Sequence, residues 1–153
     1  MKIAVKEVGK ELQVIETNEK YRGNCVKQFT GKDDPAEFVR LNEDGSFCIG
    51  VNENGLPLQL PLNFLIETTS YHYPIQKMVG TVVFVRCKNA DPCIEEIWDY
   101  EVEDLREDDI RHIEKILQEQ NQKRLFEQFK DYGKGCVFYE PIMDDFWLCV
   151  SKN

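Results

Sequence analysis

Val79-Gly80-Thr81-Val82-Val83-Phe84-Val85 is β-branched and apolar on both faces, and its reading decides the fold. A strand that covers one layer alternates apolar with polar residues. A continuous apolar run predicts a strand at the centre of a sheet, covered from both sides. The run is far too short to span a bilayer. The expectation is therefore an α+β fold: a single domain over residues 1–153, with a largely antiparallel sheet and one main helix in the C-terminal half.

Upstream, Ile3 and Val5 alternate with charge, Gly9-Lys10 punctuates, and Leu12, Val14 and Glu16 mark a return strand, which predicts a hairpin. Asn18 to Pro35 is polar and weakly patterned, and fits a short helix or a loop equally. Next come Glu37 to Leu41, Asn42-Glu43-Asp44-Gly45, Ser46 to Val51, Asn52-Glu53-Asn54-Gly55, and then Leu56 onward. Asp-Gly and Asn-Gly supply the positive φ of tight hairpin turns, so this stretch predicts a three-stranded meander with Gly45 and Gly55 left-handed. Pro57 and Pro61 cannot donate ladder hydrogen bonds, which makes Leu56 to Ile66 an edge strand or an extended arm.

Downstream, Ile97 to Glu103 alternates, with Trp98, Tyr100 and Val102 on one face and Asp99, Glu101 and Glu103 on the other. Asp104 and Glu107 have the spacing of a capping box, and Asp108 and Asp109 suit the first turn of a helix. Ile110, Ile113, Ile116 and Leu117 form one apolar stripe. It lapses from Gln118 to Arg124 and resumes at Leu125, Phe126 and Phe129. Either one helix with a polar gap or two helices joined near Asn121 fits, ending at Gly133. Cys136 to Tyr139 and Phe146 to Val150 read as a closing hairpin.

The net charge of −9 opposes direct binding to nucleic acid or an anionic membrane and suits a protein partner with a basic surface. The N-terminal segment lacks the apolar region of a secretory signal, so the expected compartment is the bacterial cytoplasm, or the host's for a phage-encoded chain. Of the six cysteines, Cys48, Cys87, Cys136 and Cys149 lie in apolar strand-like runs, and Cys25 and Cys93 complete the set. No Cys-x-x-Cys pair occurs, and the histidines are His72 and His112. This pattern predicts free thiols, mostly buried, and neither a disulfide framework nor a zinc site.

Three segments carry a family resemblance: Gly55-Leu56-Pro57-Leu58-Gln59-Leu60-Pro61-Leu62-Asn63, Ile75 to Val85, and Asp104 to Ile110. Together they resemble a domain-of-unknown-function family of small phage, plasmid and bacterial chromosomal proteins. Its pattern is Gly-x-Pro-x-x-x-Pro-x-Asn-Arg, then a Gly-Thr-x-x-x-Val strand, then a capped helix. Pro57, Pro61, Asn63, Gly80 and Thr81 match, and Phe64 stands where the pattern has arginine. The resemblance spans roughly Met1 to Ile116 and implies a mobile-element setting with nothing catalytic.

From Asp91 to Asp109 there are ten carboxylates against Arg106 alone. On a strand, Asp99, Glu101 and Glu103 sit about 6.8 Å apart along one face, a rail that phosphate-tracking basic grooves accept. The function expected is a non-catalytic binding or inhibitor protein. It would block a host defence or nucleic-acid-handling protein by nucleic-acid mimicry, through Glu95, Glu96, Asp99, Glu101, Glu103, Asp104, Glu107 and Asp108. A solvated face is the plainer reading of the same block. Two alternatives stay open: a small-molecule-binding or sequestering pocket at Pro61, Asn63, Gly80 and Thr81, and an enzyme of unrecognised type. No catalytic residue, metal ligand or cofactor is assigned.

Overall fold

The computed structural model describes residues 1–68, 74–88 and 100–133. The main sheet contains β1 (Lys2–Lys6), β2 (Gln13–Glu16), β3 (Ala36–Arg40), β4 (Phe47–Asn52), β7 (Val82–Cys87) and β8 (Val102–Glu103). Its order is β2-β1-β7-β4-β3, with β8 also on β7, and every pairing is antiparallel. A second sheet pairs β5 (Leu62–Glu67) with β6 (Ile75–Val79). The helices are α1 (Arg22–Thr30), α2 (Glu107–Leu117) and α3 (Glu119–Gly133).

Every residue of β7 is buried, as the apolar run demands. On one face Val83, Val85 and Cys87 pack with Cys25 and Val26 of α1. On the other, Val82 and Phe84 pack with Phe64 and Ile66 of β5 and with Ile113 and Leu117 of α2. Phe64 and Phe84 stack with ring centroids 6.0 Å apart. A third cluster, Leu65, Ile75, Leu125, Phe126 and Phe129, seats α3 on the outer face of β5–β6. The layers are therefore α1, the main sheet, the small sheet beside α2, and α3. Full burial of one side chain such as Ile113 contributes about 1.5–3 kcal/mol.

The opening hairpin forms as expected, with Lys2 opposite Glu16 and Val5 opposite Gln13. The ambiguous stretch contains α1. It crosses β4 closely: a Cβ on Gly50 would lie 2.4 Å from Cγ2 of Val26.

The meander is corrected. β3 and β4 pair and Gly45 has φ +75°, but the chain then leaves the sheet, and β7 takes the other side of β4. Gly55 is not left-handed; Gln59 is, at φ 56°. Leu56 to Gln59 forms turns rather than strand, and Leu60 N–H bonds to Gly55 O at 3.0 Å. The asparagines at the end of β4 serve as clamps. Asn52 Nδ2 donates to Thr30 O and Asp34 Oδ2, each at 3.0 Å, and Asn54 Nδ2 donates to Asp34 Oδ1 at 3.0 Å. These bonds tie the end of β4 to the α1–β3 connection and hold the Asp34 carboxyl below its ordinary range.

The expected strand Val79 to Val85 is divided. Gly80, at φ +71°, turns the chain from β6 in the small sheet to β7 in the main one. The helical region is two helices, broken at Gln118, whose ψ of 135° is extended. Asp104 and Glu107 do not form the capping box. The cap position is Arg106, whose backbone N–H donates to Asp109 Oδ2 at 2.9 Å. Asp104 instead accepts the Lys2 backbone N–H at 2.6 Å, which fastens the start of β1. Cys25, Cys48 and Cys87 are buried free thiols. Cys93, Cys136, Cys149, His72, Trp98 and the closing hairpin lie outside the described residues. No helix among the described residues is long and apolar enough to cross a membrane.

Candidate binding groove

β3 is the last strand of the main sheet, and its register settles which way its backbone groups point. Leu41 N–H bonds to Phe47 O at 2.8 Å, and Glu53 N–H bonds to Pro35 O at 2.9 Å. Antiparallel pairing alternates, so the odd-numbered residues from Pro35 to Leu41 exchange bonds with β4. Ala36 and Phe38 direct N–H and C=O the other way, toward the side of β3 on which no described strand pairs.

Beside that edge lies an open groove of about 930 Å³. One wall is Glu37 to Glu43. The opposite wall is Ile66, Glu67 and Thr68 at the end of β5, with Gln76 of β6. Ile116 and Leu125, from either side of the α2–α3 joint, supply apolar surface, and His112 and Asn121 stand beside them. Val39 and Leu41 add apolar surface from β3, both partly buried against the core.

The groove's charges are arranged by local contacts. Arg124 donates to Glu67 Oε1 at 2.7 Å and to Asn121 Oδ1 at 2.7 Å. That first bond holds the Glu67 carboxyl below its ordinary range. The Arg40 side chain folds back over the turn, with Nε 3.4 Å from where a Cβ on Gly45 would stand. Glu37 and Glu43 are exposed and form no ion pair among the described residues. The exposed His112 ring meets Phe47 edge-on at 5.7 Å.

The acidic residues named from sequence are dispersed. Glu95, Glu96 and Asp99 lie outside the described residues. Glu101 pairs with Lys20 at 3.3 Å and holds its ammonium above the ordinary value. Glu103 stands 3.9 Å from Arg106, and Asp108 pairs with Arg111. Asp104 is spent on the Lys2 backbone, and Glu107 is exposed. Val102 is buried between half-exposed Glu101 and Glu103, as the alternation requires.

Pro61, Asn63, Gly80 and Thr81 do meet in one corner, but Asn63 is fully buried there. Its Nδ2 donates to Lys6 O at 2.7 Å and Gly80 O at 2.8 Å, and its Oδ1 accepts from Lys6 Nζ at 3.3 Å. The amide fastens the small sheet to β1 and the β6–β7 turn, and the groove is lined by other residues.

Sequence reasoning missed two buried polar groups that shape the groove region. Arg86 of β7 makes a two-bond ion pair with Asp109, at 2.7 and 2.6 Å, and donates to Ser46 Oγ at 3.0 Å. Gln122 is fully buried and bonded to Leu65 and Ile116. Arg86 carried a weak signal, a lone charge in an apolar strand. Gln122 carried none. Among the described residues no group of three or more His, Cys, Asp or Glu side chains converges as a metal site.

Comparison with protein-family models, with curated proteins and with solved structures finds no match to this chain.

Proposed function

We propose that the chain is a non-catalytic binding protein that engages a protein partner through a basic segment of that partner. One observation carries the reading: an open groove with apolar surface beside β3, whose outer side meets no strand among the described residues, bordered by the carboxylates of Glu37 and Glu43, which form no ion pair among those residues. Its ionic pair, Glu67 with Arg124, is internally neutralised and holds Glu67 in its charged form, which suits positioning better than proton transfer. The net charge of −9 speeds the encounter with a cation, while most of the described acids near α2 are locally paired and act at long range. Blocking a basic, nucleic-acid-handling surface of a host protein is the sharpest form of this reading, and the mobile-element resemblance belongs with it.

The test is a titration of isotope-labelled protein with a lysine-rich peptide of about ten residues and its glutamate-rich counterpart, at low and high salt. Saturable shifts at Val39, Leu41, Ile116 and Asn121 with the basic peptide alone, weakened by salt and by Glu37→Lys/Glu43→Lys, are expected. Equal responses to both peptides, or shifts confined to other surfaces, count against the groove.

A further inference from the structure

We propose that the groove receives its ligand as an added strand on β3, and that the ligand is an extended segment whose groove-facing side chains run basic, apolar, apolar, basic. The proposal rests on the groove reading above and specifies how that site is used.

The contrast between two strand edges is the first argument. On the small sheet, β5 has an outer edge at Leu65, and the fold closes it with a side chain. Gln122 supplies both the donor and the acceptor that a neighbouring strand would supply. Exposed edges invite pairing with another chain, and proteins cover the ones they do not use. On β3, by contrast, Ala36 and Phe38 point N–H and C=O outward and pair with no described residue. β2 is the other edge of the main sheet, but its residues do not line the groove.

Side-chain chemistry is the second argument. The odd-numbered residues of β3 face the small sheet and α2, as the packing of Val39 and Leu41 shows, and the even-numbered ones face α1, as Phe38 does against Arg22. An added strand in register with β3 sends every second side chain toward the groove. The middle two meet Val39, Leu41 and Ile116. The outer two meet Glu37 at one end and, beyond the end of β3, Glu43 of the β3–β4 turn, which also lines the groove, at the other. Backbone bonds then supply affinity, and the alternating pattern supplies selection.

The probe is the peptide acetyl-Lys-Thr-Val-Thr-Val-Thr-Lys-amide, with a copy N-methylated on alternate backbone amides. Binding is followed by chemical shift and by hydrogen exchange of individual amides. The proposal expects saturable binding, slowed exchange at Ala36 and Phe38, and roughly tenfold or greater weakening by N-methylation, the equivalent of about 1.4 kcal/mol. Ala36→Pro removes an outward N–H without touching the β4 ladder and should weaken binding likewise. The methylated peptide keeps the test decisive should that variant fail to fold. Equal binding of both peptides with unchanged exchange at Ala36 and Phe38 overturns strand addition and leaves the groove reading standing. The same amides protected by self-association, without peptide, make a second copy the occupant and overturn the peptide ligand. No saturable response of groove residues to either peptide overturns both readings.

Discussion

The side-chain amide of Gln122 forms with Leu65 both hydrogen bonds of a neighbouring β-strand: Nε2 donates to Leu65 O at 2.9 Å, and Leu65 N–H donates to Oε1 at 2.9 Å. The same Nε2 donates to Ile116 O at 2.7 Å. One residue of α3 thus closes the edge of β5 and satisfies a carbonyl that the end of α2 leaves without a helical partner. Gln122 is fully buried, so in the intact fold its amide and not solvent satisfies these groups.

Gln122→Ala should therefore be costly. It strands the buried N–H and C=O of Leu65, while Ile116 O keeps the bond from Asn121 Nδ2 at 3.0 Å; each unsatisfied group costs about 1–3 kcal/mol. Urea unfolding should show a loss of at least about 2 kcal/mol, and exchange at the Leu65 amide should quicken. Gln122→Glu keeps the acceptor for Leu65 but loses the donor, so it should not rescue. A loss of less than about half a kcal/mol in the alanine variant would mean that the edge is satisfied in another way.

The Arg86–Asp109 pair makes stability depend on acid. Burial opposes ionisation of Asp109, but the hydrogen bonds from Arg86 and the Arg106 backbone outweigh it, and the carboxyl lies below its ordinary value of 3.8. The native state thus binds a proton less readily than the unfolded chain does. The pair's stabilisation is full above that ordinary value and is lost as pH falls through the lower native one. Asp109→Asn leaves the Arg86 guanidinium buried without a charge partner in the pair, at a cost of about 3–5 kcal/mol near neutral pH. The gap between wild type and variant should close below pH 3.8; a gap independent of pH would refute the linkage.

Three glycines should rank by different causes. Gly50→Ala drives a Cβ to 2.4 Å from Val26 across the α1–β4 contact, between a strand and a helix that cannot easily part. Gly55→Ala meets Val79 Cγ2 at 2.7 Å and the Asn52 carbonyl at 3.2 Å. Gly45→Ala is strained by its φ of +75°. Overpacking costs about 1–3 kcal/mol and the left-handed penalty about 1 kcal/mol, so thermal unfolding should place Gly50→Ala lowest. Equal, near-neutral effects at all three would contradict the packing described.

Ile113→Ala tests the seat of α2. Ile113 is fully buried against Phe47, Phe84 and Leu105, and its truncation should cost about 2–4 kcal/mol through lost burial and a residual cavity. Ile116→Ala, at the groove, should cost less, because that side chain is only partly buried.

What the sequence determined by itself lies in its periodicities. The apolar run Val79 to Val85 marked a central strand, which its second half, Val82 to Val85, forms within β7, and alternation around Ile3 and Val5 made a hairpin. Spacing at Ile113 and Leu117 marked the buried face of α2. These features depend on neighbours within a few residues, and pattern suffices to read them. Tertiary structure decided which strand each edge would meet. Asn54-Gly55 looks like a hairpin turn, but Asn52 and Asn54 turn their amides to Asp34, and β7 competes successfully for β4. The same distance in sequence hid the site. Gln122 reads as one more polar residue in a solvated gap until Leu65, 57 positions away, gives it partners. Whether a strand lies beside β3 was likewise decided by the fold, and none of the described strands does. Hydrogen bonds between distant segments have no period, so the groove became legible only once the chain had folded.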